Sequence, residues 1–249
     1  AYLSVGASGN VSASIAAAGA PVNRQAELES ASSLAQDERP AQESTVMVGS
    51  PYGLHAIDRD TGMQRWYVPA GDTSDSTPAV DDTTVFVGND AGILFAIDAA
   101  SGQEQWHRDF GEDRQVWSPT VAEGTVYVAA EVMPHASLAA HTPQGKVWAL
   151  DAATGDERWT FATTEEVTTA PAFANGMVFV SVRDNHIYAI DAESGHQLWA
   201  LSTPMDVSDP VIADGRLYVQ VRTEHADALV LALDHGIGEE LWARSVGRV

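Results

Sequence analysis

Three side chains that can bind metals occur in one segment of the chain. Glu131, His135 and His141 offer a carboxylate and two imidazoles, which are ligands that zinc accepts. Their spacing matches no standard zinc motif, so solvated loop residues are the alternative interpretation. Trp117 precedes Ser118-Pro119 and can either stack on a bound ligand or pack in the core. These four residues are the candidates for a metal or ligand site, and no residue is predicted to be catalytic.

Other common catalytic arrangements do not stand out in the sequence. The chain has no cysteine, which excludes a thiol nucleophile, a disulfide framework and a thiolate metal site. We find no Ser-His-Asp elbow, no phosphate-binding glycine loop and no distinctive pair of carboxylates. The sequence leaves enzyme activity open and favours a protein without it.

The charge composition is strongly one-sided. Thirteen basic and 35 acidic residues among 249 give a formal net charge of −22, and Lys146 is the single lysine. This balance argues against nucleic acid or an anionic membrane surface as a partner, because both attract basic surfaces. The longest apolar-leaning stretch, Val11 to Val22, is too short to span a bilayer. Acid-rich, lysine-poor proteins resemble those of halophilic organisms; an acidic protein encoded by a GC-rich genome is the alternative.

One sequence motif occurs five times and indicates a repeat architecture. Each copy reads Ala-Ile/Leu-Asp, with a glycine four residues after the aspartate and a tryptophan four residues after the glycine. The spacings between successive aspartates are 40, 53, 40 and 43 residues. The five copies are Asp58, Gly62 and Trp66; Asp98, Gly102 and Trp106; Asp151, Gly155 and Trp159; Asp191, Gly195 and Trp199; and Asp234, Gly238 and Trp242.

Each repeat contains four short β-strand patterns. A Pro-x-Val strand (A) and a Val-aromatic-Val strand (B) precede the Ala-Ile-Asp strand (C) and the tryptophan strand (D), with turn signals between them. Four strands in about 40 residues predict an all-β fold, a β-propeller of four-stranded antiparallel blades. The aspartate can accept turn N–H groups, the glycine permits a positive φ, and the tryptophan is expected to lie over the neighbouring blade.

The pattern Ala-x-Asp-x-x-Thr-Gly-x-x-x-Trp resembles the tryptophan-docking motif of pyrroloquinoline-quinone (PQQ) type repeats. The resemblance covers about residues 40–249. Such repeats build the propellers of quinoprotein alcohol dehydrogenases and of non-catalytic relatives, including a scaffold lipoprotein of outer-membrane β-barrel assembly. The resemblance specifies the fold much better than the function, because one fold hosts many functions.

The count of blades is smaller than the resemblance implies. Five blades are clear, whereas related rings have seven or eight, so an incomplete ring or a fragment is one interpretation. Residues 1–39 are rich in alanine and serine and are either a flexible segment or a sixth, degenerate blade. An unclosed ring would expose sheet edges and favour self-association.

The position of a binding surface follows from the strand order. The A–B and C–D turns share one face, and the B–C and D–A connections share the other. The longest insertion, Glu131 to Gln144, and a smaller one, Thr223 to Asp227, both fall on the second face, where we expect function. Its D–A connections are acidic, which suits a cationic partner surface, although a salt-adapted protein is acidic everywhere. Their acidic residues are Asp72, Asp75, Glu112, Asp113, Glu165, Glu166, Asp206 and Asp209.

Three functions are compatible with these features. The favoured one is a non-catalytic binding or scaffold module without a cofactor, with a protein or small-ligand partner and, from the resemblance, an extracytoplasmic location. The first alternative is a fragment of a dehydrogenase that uses PQQ with calcium; the cysteine pair that such enzymes place against PQQ is absent here. The second is the sensor region of a larger receptor or kinase.

Overall fold

The computed structural model describes residues 3–5, 11–12, 45–73, 76–111, 114–132, 145–167, 169–203, 207–222 and 227–248. Within these ranges the chain forms strands and turns arranged in five sheets. The predicted all-β propeller of four-stranded antiparallel blades is confirmed. No helix in the described ranges is long and apolar enough to cross a membrane.

The sheets follow one another in chain order, and each corresponds to one sequence repeat. The first contains β1 (Leu3–Val5), β2 (Val11–Ser12), β3 (Thr45–Ser50), β4 (Gly53–Asp58) and β5 (Gln64–Val68). The second contains β6 (Ala79–Val80), β7 (Thr84–Gly88), β8 (Ile93–Asp98) and β9 (Glu104–Asp109). The third contains β10 (Arg114–Val116), β11 (Thr120–Ala122), β12 (Thr125–Val132), β13 (Gly145–Asp151) and β14 (Glu157–Thr163). The fourth contains β15 (Ala172–Ala174), β16 (Met177–Val182), β17 (His186–Asp191) and β18 (Gln197–Ser202). The fifth contains β19 (Val211–Ala213), β20 (Arg216–Arg222), β21 (Asp227–Asp234) and β22 (Glu240–Arg248).

The first sheet differs from the others in its innermost strand. Strands β6, β11, β15 and β19 approach one another and line the centre of the propeller. In the first sheet this place beside β3 is taken by β1, which pairs with β3 in parallel, while β2 pairs with β1 antiparallel. The rest of the Ala/Ser-rich segment 1–39 lies outside the described residues.

The same irregularity recurs where strand C meets strand D of every blade. The alanine of the Ala-Ile/Leu-Asp motif pairs with the motif tryptophan, and the register shifts immediately after it. A β-bulge of this kind bends and twists the strand locally. The bulge therefore repeats with the motif and gives all five sheets the same outer edge.

Side chains alternate between the two faces along each strand, and both faces of the inner sheets are buried. In the third blade Val126 and Val128 face the second blade, whereas Tyr127 and Ala129 face the fourth, and all four are at most 2% exposed. Four apolar clusters of this kind fill the gaps between consecutive sheets. The core of the protein is thus divided into layers between blades.

Candidate functional site

The motif aspartates accept hydrogen bonds within the C–D turns. Asp191 Oδ1 accepts from the Ser194 N–H at 2.8 Å and from the Ser194 hydroxyl at 2.6 Å. These bonds hold the pKa of Asp191 below its usual value. The Gly195 N–H donates to the Asp191 carbonyl at 2.9 Å, and its φ of +73° suits glycine. In the fifth blade Ile237 replaces the hydroxyl residue, and Asp234 Oδ1 accepts from backbone N–H groups only.

The motif tryptophan of one blade contacts the motif turn of the next. A Cβ atom placed on Gly195 would lie 2.7 Å from the Trp159 ring, so the indole occupies the space that a side chain would need. In the first four blades the indole N–H of the motif tryptophan donates to the carbonyl of the residue after the next blade's aspartate. The four bonds are Trp66 to Ala99 at 3.1 Å, Trp106 to Ala152 at 3.1 Å, Trp159 to Ala192 at 2.8 Å and Trp199 to His235 at 3.0 Å.

Backbone hydrogen bonds define two opposite faces of the propeller. The Ala192 N–H donates to the Gly176 carbonyl, which joins a C–D turn to an A–B turn; we call this side the turn face. The Thr203 N–H donates to the Asn185 carbonyl, which joins a D–A connection to a B–C turn; we call this side the loop face. The predicted insertion, 131–144, falls between β12 and β13 in the chain, and its residues 133–144 lie outside the described residues.

A cluster of cations and aromatic rings lies in the third blade beside this insertion. The Trp148 ring is 6% exposed and contacts Phe110 at 4.6 Å between ring centroids. Lys146 Nζ lies 5.0 Å from the Trp148 ring centroid and Arg114 Cζ lies 5.7 Å from it, which are cation–π distances. Burial lowers the pKa of Arg114 without neutralising it at physiological pH. We call Arg114, Lys146, Trp148 and Phe110 the third-blade cluster.

Two buried donors of the third blade have no hydrogen-bond partner among the described residues. Strand A is split there: β10 pairs with the end of β12 and β11 with its beginning, leaving Trp117 between them. Among the described residues, Arg114 Nη1 and Trp117 Nε1 are buried side-chain atoms that make no hydrogen bond. The Trp117 side chain also packs against the cluster between the third and fourth blades. The backbone N–H of Trp117 donates to the Ala129 carbonyl at 3.0 Å. An unpaired buried donor costs about 1–3 kcal/mol, so an acceptor from outside would be favourable here.

The equivalent position in the second, fourth and fifth blades carries a hydroxyl residue. Ser76 Oγ accepts from the Gly88 N–H at 2.9 Å, Thr169 Oγ1 from Ser181 at 3.1 Å and Ser208 Oγ from Gln220 at 3.0 Å. These bonds bridge the gap between strands A and B. Trp117 replaces that hydroxyl, which makes the third blade chemically different from its neighbours.

Of the three predicted zinc ligands, the structure describes only Glu131, and of that residue only the backbone. The backbone of Glu131 pairs with Gln115 and Gly145, on the same strand as the Trp117 partner Ala129. His135 and His141 lie outside the described residues. Within the described part of the chain, no three His, Asp or Glu side chains are grouped to hold a metal ion.

A polar group in the fourth blade fixes another part of the loop face. Tyr188 and Thr164 hydroxyls each donate to Asp184 Oδ2 at 2.9 Å, and the His186 N–H donates to Asp184 Oδ1 at 3.1 Å. Burial and the neighbouring carboxylate raise the pKa of Tyr188 to about 12, so the phenol stays protonated. Beside this group Arg183 pairs with Glu166, one of the predicted acidic residues. Both carboxylate oxygens of Asp184 accept hydrogen bonds from neighbouring groups, which is a structural role.

A small cleft lies between the second and third blades. It has a volume of about 170 Å³ and is lined by Asp72, Ser76, Gly88, Asn89, Asp90, Gln115 and Val116. Small-molecule sites typically enclose about 300–1,000 Å³. The cleft therefore suits a side chain of a partner better than a cofactor. Of the other predicted acidic residues, Asp75, Glu112, Asp113 and Asp206 lie outside the described residues.

One predicted acidic residue has an unusual environment. Although Asp209 is exposed, partial desolvation of its carboxyl group raises its pKa, and a hydrogen bond from the Ala170 N–H opposes this rise. The equivalent contact between the second and third blades joins the Thr77 N–H to Ser118 Oγ at 2.8 Å. Both bonds link neighbouring blades at the propeller centre.

Sequence reasoning missed the cations of the third-blade cluster. Lys146 is the single lysine of the chain and directly follows the longest insertion, which was the available signal. Arg114 carried no such signal, because its approach to Trp148 depends on how β10 lies against the adjacent sheet.

Comparisons with known proteins agree with this geometry. Residues 52–138 and 115–207 match the PQQ-type repeat family model described as "Outer membrane protein assembly factor BamB". The protein of that name from Yersinia pestis is 26% identical over 241 residues, covering 85% of this chain and 57% of the relative. The serine/threonine-protein kinase AfsK of Streptomyces griseus is 28% identical over 184 residues, covering 67% of this chain and 21% of the kinase.

A solved structure shares the fold at lower identity. The quinohemoprotein alcohol dehydrogenase ADHIIG of Pseudomonas putida HK5 superposes with a TM-score of 0.62 at 18% identity, covering 82% of this chain and 40% of the enzyme. The chain thus spans little more than half the length of the assembly factor and less of the other two proteins.

Proposed function

This chain belongs to the family of PQQ-type repeat proteins, and we propose on that premise that it is a non-catalytic propeller that binds a protein partner through its loop face. Of the three proteins compared, this chain covers the largest share of the one named an outer membrane protein assembly factor. That name supports a binding or scaffold role in an extracytoplasmic location.

The third-blade cluster is the observation that carries this proposal. Arginine and aromatic side chains dominate the energetic centres of protein interfaces, because they combine large contact area with hydrogen bonding. Here Arg114 and Trp148 lie together, and Arg114 Nη1 and Trp117 Nε1 are buried donors without partners in the described structure. A carboxylate or a backbone carbonyl of the partner is the kind of acceptor that each of these two donors lacks.

Acidic residues of the loop face lie near the third-blade cluster. Asp72 and Asp90 line the neighbouring cleft, and Glu166 lies beside the fourth blade's polar group. We propose a partner segment with an acceptor group at the third-blade cluster and basic side chains around it. Opposite charges would then direct the encounter, with a rate that falls as salt rises.

Site-specific photo-crosslinking in cells of the source organism tests the proposed face. A photoreactive residue replaces Asp90 on the loop face or, as a matched control, Glu193 on the turn face; both are exposed acidic residues. We expect a discrete protein adduct from position 90 and none from position 193. Lys146→Gln should weaken that adduct, whereas adducts from position 193 alone would refute the proposal.

Titration with PQQ and Ca²⁺ separates this proposal from the dehydrogenase alternative. The folded protein in multimolar KCl is followed by tryptophan fluorescence and by calorimetry. We expect no saturable binding, because no three described His, Asp or Glu side chains are grouped to hold a metal ion and the chain lacks the cysteine pair that such enzymes place against PQQ. One-to-one saturation would contradict the non-catalytic assignment and favour redox assays with alcohols and sugars.

A further inference from the structure

Two cations of the third-blade cluster lie against one aromatic ring without a counterion in the described structure. Lys146 Nζ and Arg114 Cζ lie 5.0 and 5.7 Å from the centroid of the Trp148 ring. Neither cationic side chain forms an ion pair or a hydrogen bond with a described residue, and Arg114 Nη1 is a buried donor. Because like charges repel, holding the two cations at one ring becomes favourable only when an anion joins them.

Other arginines of the protein show what this position lacks. Arg114, Lys146 and Arg108 are the half-buried members among the described arginines and lysine, and of these Arg108 alone pairs with a carboxylate. Pairing is common even where the cation is more exposed. The described pairs are Arg59 with Asp60, Arg65 with Asp58, Arg108 with Glu157, Arg158 with Asp151, and Arg183 with Glu166.

The register of the third sheet places both cations on the face that carries Trp148. Arg114 of β10 is opposite Val132, and Lys146 of β13 is opposite Ala130, so the two residues flank β12 at alternate positions. This face packs against the second blade. The cleft of about 170 Å³ lies in the same gap between blades and is lined by Gln115, which directly follows Arg114. A side chain of a partner can therefore approach the two cations from the loop face.

The insertion that joins β12 to β13 contains no acidic residue. The sequence between Val132 and Gly145 has no Asp or Glu, although the whole chain has 35 acidic and only 13 basic residues. This stretch therefore supplies no carboxylate to the cations and adds no negative charge that would repel an incoming anion.

We propose that Arg114 and Lys146 bind a carboxylate supplied by an acidic side chain of the protein partner. This inference rests on the proposed function and deepens it by naming the group that the third-blade cluster recognises. The planar guanidinium fork matches the geometry of a carboxylate, and the ammonium group attracts the same anion as a point charge. A singly charged carboxylate is also repelled less than a phosphate group by a protein of net charge −22.

Exchange of chloride for acetate tests the site in the absence of any partner. Potassium acetate replaces KCl at a constant, multimolar concentration of K⁺, so that the ionic strength stays fixed. The indole N–H signal of Trp148, assigned with Trp148→Phe, is followed by ¹⁵N NMR. We expect this signal to shift saturably in the wild type and in Lys146→Arg, which keeps the charge.

Three glutamine variants separate this site from general effects of the anion. Lys146→Gln and Arg114→Gln should each raise the dissociation constant for acetate about tenfold or more, as loss of a charge-assisted hydrogen bond does. Arg216→Gln is the matched control, because it removes an exposed cation of the turn face, and it should leave the constant unchanged.

Three outcomes would overturn the proposal. A shift that never saturates shows that acetate has no site, and it favours a counterion from the chain itself, such as Glu112 or Asp113. Equal saturation in the wild type and in both cluster variants places the anion elsewhere. Saturation by inorganic phosphate but not by acetate assigns the site to a phosphate group.

Photo-crosslinking from position 90 distinguishes failure of this inference from failure of the proposed function. An adduct from position 90 without acetate binding keeps the protein partner and refutes the carboxylate site. Acetate binding without an adduct keeps a carboxylate site and refutes the protein partner as its source.

Discussion

Replacing a tryptophan between blades should cost far more stability than replacing the exposed tryptophan of the fifth blade. Trp159 is 8% exposed and donates to the Ala192 carbonyl at 2.8 Å, whereas Trp242 is 40% exposed. Both rings lie close to a tyrosine of their own sheet: Tyr127 at 5.9 Å for Trp159 and Tyr218 at 6.0 Å for Trp242. Comparing the two replacements therefore isolates what contact with the next blade contributes to the free energy of unfolding.

The expected magnitudes follow from burial. An indole buries about 200 Å² of surface, which is worth roughly 5 kcal/mol at about 25 cal/mol per Å². Since alanine keeps part of this burial, Trp159→Ala should lower the free energy of unfolding by about 4 kcal/mol, as in other core truncations. Trp242→Ala removes less buried surface and leaves no closed cavity, so about 1–2 kcal/mol is expected.

Equilibrium urea unfolding, followed by far-ultraviolet circular dichroism at fixed KCl, measures these losses. The protein is kept at concentrations where every variant is monomeric, so that association does not contribute. Trp159→Phe keeps an aromatic ring but loses the indole N–H donor and should cost less, about 1 kcal/mol or slightly more. Equal losses for Trp159→Ala and Trp242→Ala would refute the reasoning, because the next blade would then contribute nothing.

Four further results are expected. Gly195→Asn should cost about 1–3 kcal/mol in urea unfolding, because its Cβ meets the Trp159 ring, whereas Gly176→Asn should be nearly neutral. Asp191→Ala should cost about 1 kcal/mol at neutral pH, as does loss of a side-chain cap. Because the folded pKa of Asp191 is lowered, this contribution is present above about pH 4 and is lost as the pH falls through the lowered pKa, so the two unfolding curves should converge in acid. Asp209 should change stability with pH in the opposite direction, because its raised pKa favours the folded state in acid and disfavours it as the pH rises through that pKa. Asp209→Asn should therefore be more stable than the wild type at neutral pH and lose this advantage below about pH 4. Finally, the melting temperature should rise steeply with KCl if the acidic surface is salt-adapted, and a flat curve into the multimolar range would contradict that interpretation.

Two predictions from the repeat pattern show how far equivalence between repeats extends. Trp148 and His55 occupy the same place in strand C, directly before the motif alanine, so the repeat pattern predicts that both pack in the core. Trp148 is 6% exposed, which confirms the expectation. His55 is instead half-buried and bonds Gln64 at 3.0 Å and Ser50 at 3.1 Å. The reason is positional: this slot faces the preceding blade, and the described structure places none against the first sheet.

The sequence predicts which face carries the candidate site but not which side chains contact one another there. The strand order located the loop face and its long insertion, because strand direction alternates within a blade. Trp117 was considered as a ligand-stacking or a packing residue; the structure shows it packed, with a buried donor unpaired among the described residues. The approach of Arg114 to Trp148 could not be predicted, since this contact joins residues that are distant in sequence. Lys146 lies two residues before Trp148 on the same strand, so its contact follows from the alternation of side chains along β13.

The sequence by itself determined the architecture of this protein. A five-fold motif of aspartate, glycine and tryptophan at fixed spacing specifies a turn through local hydrogen bonds and a positive φ, and these depend on neighbouring residues alone. The tertiary structure decided which copies of the motif find a partner. Trp159 and Trp242 occupy the same motif position, yet one is buried and the other exposed, because burial depends on what lies across the gap between sheets. That arrangement, and with it the difference between Trp159 and Trp242, emerges only when the blades are assembled in space.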